Sequence, residues 1–416
     1  MSPKSCPTYD VIVVGARCAG SPTAMLLARK GYRVLLLDKG VFPSDMALST
    51  HLIHPPGIAR LRRWGLLDQV KASNCPPLSR FSFDFGHFGL TGSSPPADGV
   101  TEAYAPRRFT LDRILVGAAV DAGATLWEGC RVEELVADGE RIAGVRGRQK
   151  NGAPFTARAT MVVGADGVNS MLARAVGAAE YSAKPPLQCT YFSYWSGVPM
   201  QKVEYYIRPR RTLYGWLTND GAALIGVAWP EAEQRAIKQN LEESFFQALD
   251  LAPEFAERVR LGRREAPWIG RATPNYFRKP CGPGWALVGD AGYQKDPCTA
   301  VGISDAFRDA EGLAEAIDKG LDHRMPLDRA LAEYEEKRNE RAMPTYEFTC
   351  QLAGFQPPLA LTREFYAALC ASQEGIDRFI GLFTHTVSVP EFFSREHIDR
   401  VMGGASLNRK TSVAAV

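Results

Sequence analysis

The chain has 416 residues, enough for one large hydrophobic core or two to three modest ones. Lysine and arginine together number 49 and aspartate and glutamate 46, so the net charge is only +3, and no basic block indicates a nucleic-acid partner. No stretch approaches the roughly 18 consecutive apolar residues of a membrane span. The nine cysteines form no Cys-x-x-Cys pair, and the six histidines show no metal-ligand spacing. This pattern predicts neither a disulfide framework nor a metal site, and it favours a reducing cytoplasm.

The first forty residues have the pattern of a strand, a tight turn, a helix and a second strand. Residues 11–14 are a continuous β-branched run, which is typical of a parallel strand buried on both faces. A helical segment starts at Gly20 and ends in basic residues before Gly31, a common stop signal. Residues 34–37 form a second apolar run that ends at Asp38.

The turn after the first strand resembles a nucleotide-binding turn. Gly15 would permit the tight turn, and Gly20 would let the helix pack closely on it, with the helix N-terminus facing a pyrophosphate. Asp38 would accept hydrogen bonds from a ribose. Arg17 stands where the usual pattern has its middle glycine; it would contact the pyrophosphate or adenine, or lie in solvent. The alternative interpretation is an ordinary strand–helix turn.

Two later segments repeat the pattern of a buried strand followed by glycine and aspartate. Residues 161–163 lead into Gly-Ala-Asp-Gly at 164–167, and residues 285–288 lead into Gly-Asp at 289–290. A helix is predicted from about 301 to 317. Buried strands that end in this way at separate places indicate one doubly wound parallel sheet with a binding crevice at its carboxyl edge.

The segments between these elements predict a second domain. Residues 187–230 contain aromatic-rich strands separated by turn residues, which indicates an antiparallel sheet, and residues 76–99 are assigned to the same domain. From about 327 the sequence becomes helical, including 361–383, and the last dozen residues have the composition of a loose tail. The predicted fold class is α/β: a Rossmann-like, doubly wound three-layer domain (1–75, 100–186 and 271–345), an inserted antiparallel β substrate domain (76–99 and 187–270), and a helical C-terminal segment with a tail (346–416).

Three motifs together resemble a known superfamily. One motif is fitted by Ala165, Asp166, Gly167, Ser170 and Arg174. A second motif opens a helix with Arg108, Leu111 and Asp112. A third motif runs in register through Gly289, Asp290, Ala291, Pro297, Gly302, Ala306, Asp309 and Ala310. With Gly15 and Asp38 they resemble the FAD-dependent class A (aromatic hydroxylase-like) flavoprotein monooxygenase superfamily, which includes geranylgeranyl reductases and flavin halogenases. The chain departs from the pattern at Gly292, Tyr293, Ala300 and Ser304, where the superfamily usually has alanine, histidine, glycine and asparagine.

The resemblance implies that the Rossmann-like domain binds FAD, and no covalent attachment site is evident. Asp290 would accept hydrogen bonds from the ribityl hydroxyls, the helix beginning near Gly302 would face the pyrimidine edge, and Arg108 would reach the ribityl–phosphate part. Asp166 is alternatively a structural turn aspartate. The full set of cofactor-binding residues is Gly15, Ala16, Arg17, Ala19, Gly20, Asp38, Lys39, Arg108, Val132, Asp166, Gly289, Asp290, Gly302 and Ile303.

Aromatic side chains of the second domain are candidates for the wall of a substrate pocket, although aromatics on strands are more often core residues. His51 and His54 lie in a loop that, in the superfamily, runs beside the flavin ring, and His51 is the candidate catalytic residue. Cys298 is interpreted as a packed cysteine. The candidate pocket residues are Trp195, Tyr206, Tyr214 and Trp216.

The resemblance implies monooxygenation of a small apolar or aromatic substrate by molecular oxygen through a C4a-(hydro)peroxyflavin. Electrons would come from NAD(P)H, bound only transiently, or from a separate flavin reductase. The cofactor carries this chemistry, so no catalytic triad is needed. The alternatives are a flavin-dependent reductase of isoprenoid-like double bonds and a non-catalytic flavoprotein with a maturation or redox role.

Overall fold

The computed structural model describes residues 7–356 and 360–403. In chain order, the strands of these residues are β1 (Thr8–Val14), β2 (Val34–Leu37), β3 (Phe81–Asp84), β4 (Gly89–Gly92), β5 (Thr125–Trp127), β6 (Cys130–Asp138), β7 (Arg141–Gln149), β8 (Pro154–Gly164), β9 (Glu180–Lys184), β10 (Gln188–Ser196), β11 (Val203–Arg208), β12 (Arg211–Leu217), β13 (Ala223–Pro230), β14 (Arg263–Arg264), β15 (Ile269–Ala272), β16 (Asn275–Arg278), β17 (Cys281–Gly282), β18 (Trp285–Leu287) and β19 (Tyr293–Gln294).

The helices are α1 (Gly20–Arg29), α2 (Pro55–Trp64), α3 (Leu67–Ala72), α4 (Arg108–Asp121), α5 (Met171–Ala175), α6 (Gln234–Gln239), α7 (Leu241–Leu249), α8 (Pro253–Leu261), α9 (Gly302–Leu321), α10 (Leu327–Ala353), α11 (Ala360–Leu369), α12 (Gln373–Thr384) and α13 (Val389–Phe392). Short 3₁₀ turns lie at 219–221, 231–233, 289–291 and 297–299. None of the helices in the described ranges is long and apolar enough to cross a membrane.

The main sheet is parallel at its centre, as the sequence predicted. Its order is β17-β18-β8-β1-β2-β5, and β1, β2, β5, β8 and β18 are paired in parallel. The strand predicted at 161–163 is the end of the longer β8. The first half of β8 alternates between buried and exposed residues where it pairs antiparallel with β7, and the second half is buried throughout where it lies between β1 and β18.

The main sheet is covered on both faces, giving three layers. Val11 and Val13 point toward the core formed with α1, α4 and α9, whereas Ile12 and Val14 point to the opposite face. That opposite face is covered by the β6–β7 hairpin and the short helix α5. The period-2 alternation of strand side chains explains why a continuous apolar run is needed to satisfy both layers.

The second sheet has the order β14-β10-β13-β12-β11-β3-β4, with β15 also paired to β10. Its neighbours are antiparallel except for β11 and β3, which run parallel. Strands β3 and β4 therefore bring the 76–99 segment into the same sheet as the aromatic strands. The proposed domain boundaries stay a prediction. Helix α10 continues across the boundary placed at 345.

Helices cover both faces of the second sheet. Strand residues such as Phe83 and Tyr205 pack with Phe379 of α12, whereas Tyr191 and Trp229 pack on the face covered by α7 and α8. The segment predicted as helical at 361–383 forms two helices, α11 and α12. The break between them ends at Ser372. Its hydroxyl caps α12 by accepting a hydrogen bond from the Gly375 N–H at 3.3 Å. The predicted tail begins at 405 and lies outside the described residues.

The contact between Gly20 and the β1–α1 turn gives a test of the fold. A Cβ added at Gly20 would lie 1.7 Å from the Gly15 carbonyl oxygen, so Gly20→Val forces backbone apart. We expect a loss of about 1–3 kcal/mol of unfolding free energy, or more, seen as a lower midpoint of thermal unfolding. Gly117→Ala in α4 is the control, because nothing lies within 4 Å of its added Cβ and alanine favours a helix. A Gly20→Val protein as stable as wild type would contradict the packing.

Candidate functional site

A cleft of about 1010 Å³ lies at the carboxyl edge of the main sheet. Gly15 after β1, Asp38 after β2, Ala165 after β8 and Gly289 after β18 all line it. The carboxyl ends of parallel strands are where open α/β sheets bind ligands. The cleft continues to the second sheet, where Thr190 and Phe192 of β10 form part of its wall. All of the predicted cofactor-binding residues except Ala16 and Gly20 line this one cleft, so the structure brings them together.

The β1–α1 turn is held by its own hydrogen bonds. Gly15 has a φ of +104°, and its N–H donates to the Leu37 carbonyl at 2.7 Å. Asp38 accepts from the Ala16 N–H at 2.8 Å and from the Gly40 N–H at 2.7 Å. The carboxylate therefore ties β2 to the turn, a role the sequence did not reveal. Because two carboxylate oxygens offer about four acceptor positions, Asp38 can still accept from a ligand.

Two arginines at the cleft share one buried acidic partner. Asp112 is fully buried and accepts from Arg17 Nη1 at 2.6 Å and from Arg108 Nε at 2.9 Å. Arg17 also donates to the Ser44 hydroxyl at 2.9 Å. Both guanidinium groups are thus held in place at the cleft wall. From the sequence, Arg17 could contact the pyrophosphate or the adenine, or lie in solvent. The structure shows that Asp112 and Ser44 are its protein partners.

Asp290 occupies the short turn after β18. Gly289, with a φ of +62°, starts this turn, and Asp290 lines the cleft. Desolvation raises the pKa of Asp290 above its ordinary value, although the positive charges of Arg108 and Lys295 oppose that change. The side chain of Asp290 is nevertheless exposed in the cleft, so its carboxyl group is accessible to a ligand there.

The long helix α9 begins at the cleft. A Cβ added at its first residue, Gly302, would meet nothing within 4 Å, so this end of the helix faces open space. The first N–H groups of a helix have no partner within it and carry its partial positive charge. The N-terminus of α9 therefore presents donors to an electron-rich ligand edge.

The two interpretations of Asp166 are both compatible with its contacts. Oδ2 accepts from the N–H groups of Met171 at 2.7 Å and Leu172 at 3.3 Å, as a turn aspartate at the start of α5 would. Oδ1 is buried and has no hydrogen-bond partner among the described residues. One oxygen thus serves the fold while the other is available at the cleft.

His51 is a buried residue that lines the cleft. Its backbone is left-handed, with a φ of +65°, and its side chain is 1% exposed. Nε2 is hydrogen bonded to the Tyr194 hydroxyl, whereas Nδ1 has no partner among the described residues. Desolvation, together with the charges of Arg108 and Arg107, lowers the pKa of His51 well below its ordinary value. The imidazole is therefore neutral at physiological pH. Sequence reasoning missed Tyr194, which only the fold brings to His51.

Two of the four predicted pocket residues lie on the face of the second sheet that is turned away from the cleft. The Trp195 ring stacks on Phe245, and Tyr206 stacks on Phe255 with centroids 4.7 Å apart. These two side chains lie on the face of the sheet covered by α7 and α8 and are not among the residues that line the cleft, so their place in a substrate pocket stays a prediction. For Trp195 the reason for this position is strand alternation. Thr190 and Phe192 of β10 face the cleft, and Trp195, an odd number of residues away, points to the opposite face of the sheet.

Tyr214 and Trp216 lie behind the cleft wall. The hydroxyl groups of Tyr214 and Thr190 are hydrogen bonded at 2.6 Å, and Trp216 Nε1 donates to the Thr50 carbonyl at 3.0 Å. Thr190 and Thr50 are the lining residues. The two aromatics thus support the wall through these lining residues, and their place in a substrate pocket stays a prediction.

Tyr293, where the superfamily has histidine, is tied to α9. Its ring packs on Phe277 with centroids 4.9 Å apart, and its hydroxyl accepts from Arg308 at 2.8 Å. Arg308 also pairs with Asp305, which in turn pairs with Lys295. Although burial opposes it, these two cations hold the pKa of Asp305 well below its ordinary value. The tyrosine is therefore part of a fixed charge network beside the helix N-terminus.

Several buried polar atoms at the cleft lack a protein partner. Buried polar groups are almost always hydrogen bonded in native proteins, so such atoms indicate where a ligand would complete the bonding. Within residues 7–356 and 360–403, no group of His, Cys, Asp or Glu side chains could hold a metal ion. The cleft-lining residues with such an atom are His51 (Nδ1), Asp166 (Oδ1), Gln294 (Oε1) and Asp296 (Oδ2).

Curated relatives of the chain include halogenases and reductases. The chain is 27% identical over 322 residues to a tryptophan 2-halogenase of Chondromyces crocatus, covering 74% of this chain but only 60% of that protein. It is 27% identical over 338 residues to digeranylgeranylglycerophospholipid reductase 1 of Methanococcoides burtonii, covering 79% of each.

Solved structures share the fold. The myxobacterial chondrochloren halogenase CndH superposes with a TM-score of 0.76 at 23% identity, over 96% of this chain and 97% of that one. PqsL, described as a probable FAD-dependent monooxygenase from Pseudomonas aeruginosa, gives a TM-score of 0.71 at 22% identity, over 90% of this chain and 99% of that one. Residues 8–249, more than half of the chain, match the family described as the FAD binding domain. The chain belongs to this family and is an FAD-dependent oxidoreductase.

Proposed function

We propose that the protein is an FAD-dependent monooxygenase that inserts oxygen from dioxygen into a small apolar or aromatic molecule. The observation that carries the proposal is the continuity of the cleft: one cavity runs from Gly15 in the main sheet to Phe192 in the second sheet. Cofactor and substrate would therefore meet in a single chamber that both domains enclose.

The residues of the cleft fit FAD. The α1 N-terminus beyond Gly15 suits the pyrophosphate, Asp290 suits the ribityl hydroxyls, and the α9 N-terminus at Gly302 suits the pyrimidine edge. The unpaired Asp166 Oδ1 is a further acceptor that a dinucleotide would satisfy. When bound, FAD supplies the electrons that activate dioxygen.

The chain's own side chains perform the remaining tasks. Phe192 and Leu52 form an apolar part of the cleft wall, which would limit the access of water to the reacting atoms. His51 is neutral and presents an unpaired Nδ1, so it can accept or donate a proton there according to its tautomer. Tyr194 holds the ring through Nε2 and so fixes the direction of Nδ1.

The source of electrons is part of the proposal. The sequence has no second Gly-x-Gly-x-x-Gly pattern after a strand, which favours transient NAD(P)H binding or a separate flavin reductase. The described cysteines are free thiols, consistent with the reducing cytoplasm. The halogenase and PqsL neighbours favour a role in secondary metabolism.

A flavin-dependent reductase of isoprenoid-like double bonds is the second candidate. Curated reductases of archaeal lipids match along most of their length, including one from Methanothermobacter thermautotrophicus that is 27% identical and covers 89% of this chain and 92% of that protein. Such a reaction reduces carbon–carbon double bonds and needs no oxygen. An experiment that follows oxygen into the product therefore distinguishes the two candidates.

Removal of the Asp290 carboxylate tests the cofactor site. Asp290→Ala should lose most of its FAD during purification, because ribityl hydroxyls buried against the cleft wall by the cofactor's own binding would be left unpaired, at a cost of roughly 1–3 kcal/mol. FAD absorbance per chain is the measurement. Asp250→Ala, at an exposed ion pair with Arg260, is the control and should keep its FAD. A full FAD complement in Asp290→Ala would remove this residue from the site.

Oxygen labelling separates the two candidate reactions. With reduced enzyme and ¹⁸O₂, a monooxygenase should consume oxygen in step with product and place one ¹⁸O atom in each product molecule, as mass spectrometry would show. The assay is run in parallel without oxygen, where no product is expected. Saturated product formed anaerobically, with no label, would establish the reductase instead.

Replacement of His51 tests its role in proton transfer. His51→Gln should keep FAD but lower product formation about 10²–10⁴-fold, the usual contribution of a positioned acid or base. NAD(P)H oxidation should continue and yield hydrogen peroxide, measured by a peroxidase-coupled assay. His87→Gln, at an exposed position, is the control. Unchanged product yield in His51→Gln would exclude the proposed role.

A further inference from the structure

Asp296 is a buried acid that lines the cleft beside β10 of the second sheet. It lies in the loop between β19 and α9, directly before Pro297, and is 1% exposed. It lines the cleft together with Thr190 and Phe192 of the second sheet. This position is at the substrate-domain end of the cavity and far along the chain from the nucleotide turn at Gly15.

Hydrogen bonds to three neighbours fix the orientation of Asp296. Its N–H donates to Asn275 Oδ1 at 2.7 Å. Its Oδ1 accepts from the Cys298 N–H at 3.1 Å and from Gln188 Nε2. Its Oδ2 is buried and has no partner in the part of the chain that the structure describes. A buried carboxyl oxygen without a partner costs free energy, so the fold holds Oδ2 ready for a group that is not part of the protein.

The charged neighbours do not satisfy Oδ2. Lys295, the adjacent residue, turns to Asp305. The other titratable groups nearby are Cys298 in the same loop, Cys350 on α10 and Tyr214 on β12, and burial raises the pKa of all three, so they stay neutral.

Asp296 itself titrates in the neutral range. Burial raises its pKa to about 7, although the hydrogen bonds from Cys298 and Gln188 favour its ionised form. The carboxyl group therefore changes between acceptor and donor near neutral pH, while His51 on the cleft wall remains neutral.

We propose that Asp296 is a specificity-determining residue that selects substrates carrying a ring hydroxyl or ring N–H group, which donates its hydrogen bond to Oδ2. The inference rests on the proposed function and narrows its substrate class to electron-rich aromatic compounds with such a donor. A carboxylate acceptor increases electron density on the donor's ring, which suits attack on an electron-poor oxygen atom. No covalent step is assigned to Asp296.

Binding of a matched pair of probes to the oxidised FAD-loaded protein tests the inference. At pH 8, 1-naphthol should bind about 10-fold or more tightly than 1-methoxynaphthalene, because only the naphthol can donate to an ionised carboxylate. Affinities are read from the change in flavin absorbance. The preference should fall as the pH is lowered through about 7, because protonated Asp296 is no longer an acceptor at Oδ2.

Asp296→Asn is the informative variant. Asparagine keeps an oxygen for the Cys298 and Gln188 donors and replaces Oδ2 by an amide donor, so the protein should fold and keep its FAD. Its preference for naphthol should disappear and its binding should not change with pH. Asp250→Asn is the control, since Asp250 lies in an exposed ion pair with Arg260 and does not line the cleft; it should keep the wild-type preference.

Three results would overturn the inference: equal affinity of the wild type for both probes, a preference that survives in Asp296→Asn, or loss of FAD in that variant, which would assign Oδ2 to the cofactor. These binding measurements need no turnover. Incorporation of labelled oxygen together with equal probe affinities would therefore refute the inference and leave the proposed function standing.

Discussion

The close approach of helix α1 to the end of strand β1 is the constraint on which the cleft depends. Gly20 begins the helix so near the Gly15 carbonyl that no side chain fits between them. This contact aims the N–H groups of α1 across the carboxyl edge of the sheet. Asp38 then ties the turn to β2 through the Ala16 N–H, and the Ala165 N–H ties β8 to β1 at the Val14 carbonyl. The cleft floor is thus built from backbone groups and the buried Asp38 carboxylate.

Fixed charges complete the site around that floor. Asp112 holds Arg17 and Arg108 at one side of the cleft, and Asp305 is held between Lys295 and Arg308 beside the start of α9. Each of these acids is buried and shared by two cations, so the cations cannot turn freely to solvent. Electrostatic groups fixed in this way need little reorganisation when charge changes in a bound ligand.

The sequence predicted those parts of the fold that local pattern determines. The β-branched run at 11–14 had to be buried on both faces, and glycine with aspartate after it marked the edge where a ligand binds. The sequence could not determine which face of β10 meets the cleft. Alternation shows which residues share a face of the strand, but it does not show which of the two faces is turned to the cleft. The sequence therefore pointed to Trp195, which lies on the opposite face from the cleft, and did not single out Phe192 or Tyr194. Asp296 was missed because its importance comes from an unpaired oxygen, which only the three-dimensional contacts reveal.

The cofactor itself is the most direct test of this account. Purified protein should be yellow, and heat or acid denaturation should release about one FAD per chain into solution, identified by mass spectrometry of the supernatant. The account predicts intact, unmodified FAD, because the residues of the cleft would hold a dinucleotide through hydrogen bonds and helix N-termini, without a covalent bond. Flavin that stays with the denatured protein, a mononucleotide in place of FAD, or a colourless protein that takes up no added FAD would contradict it.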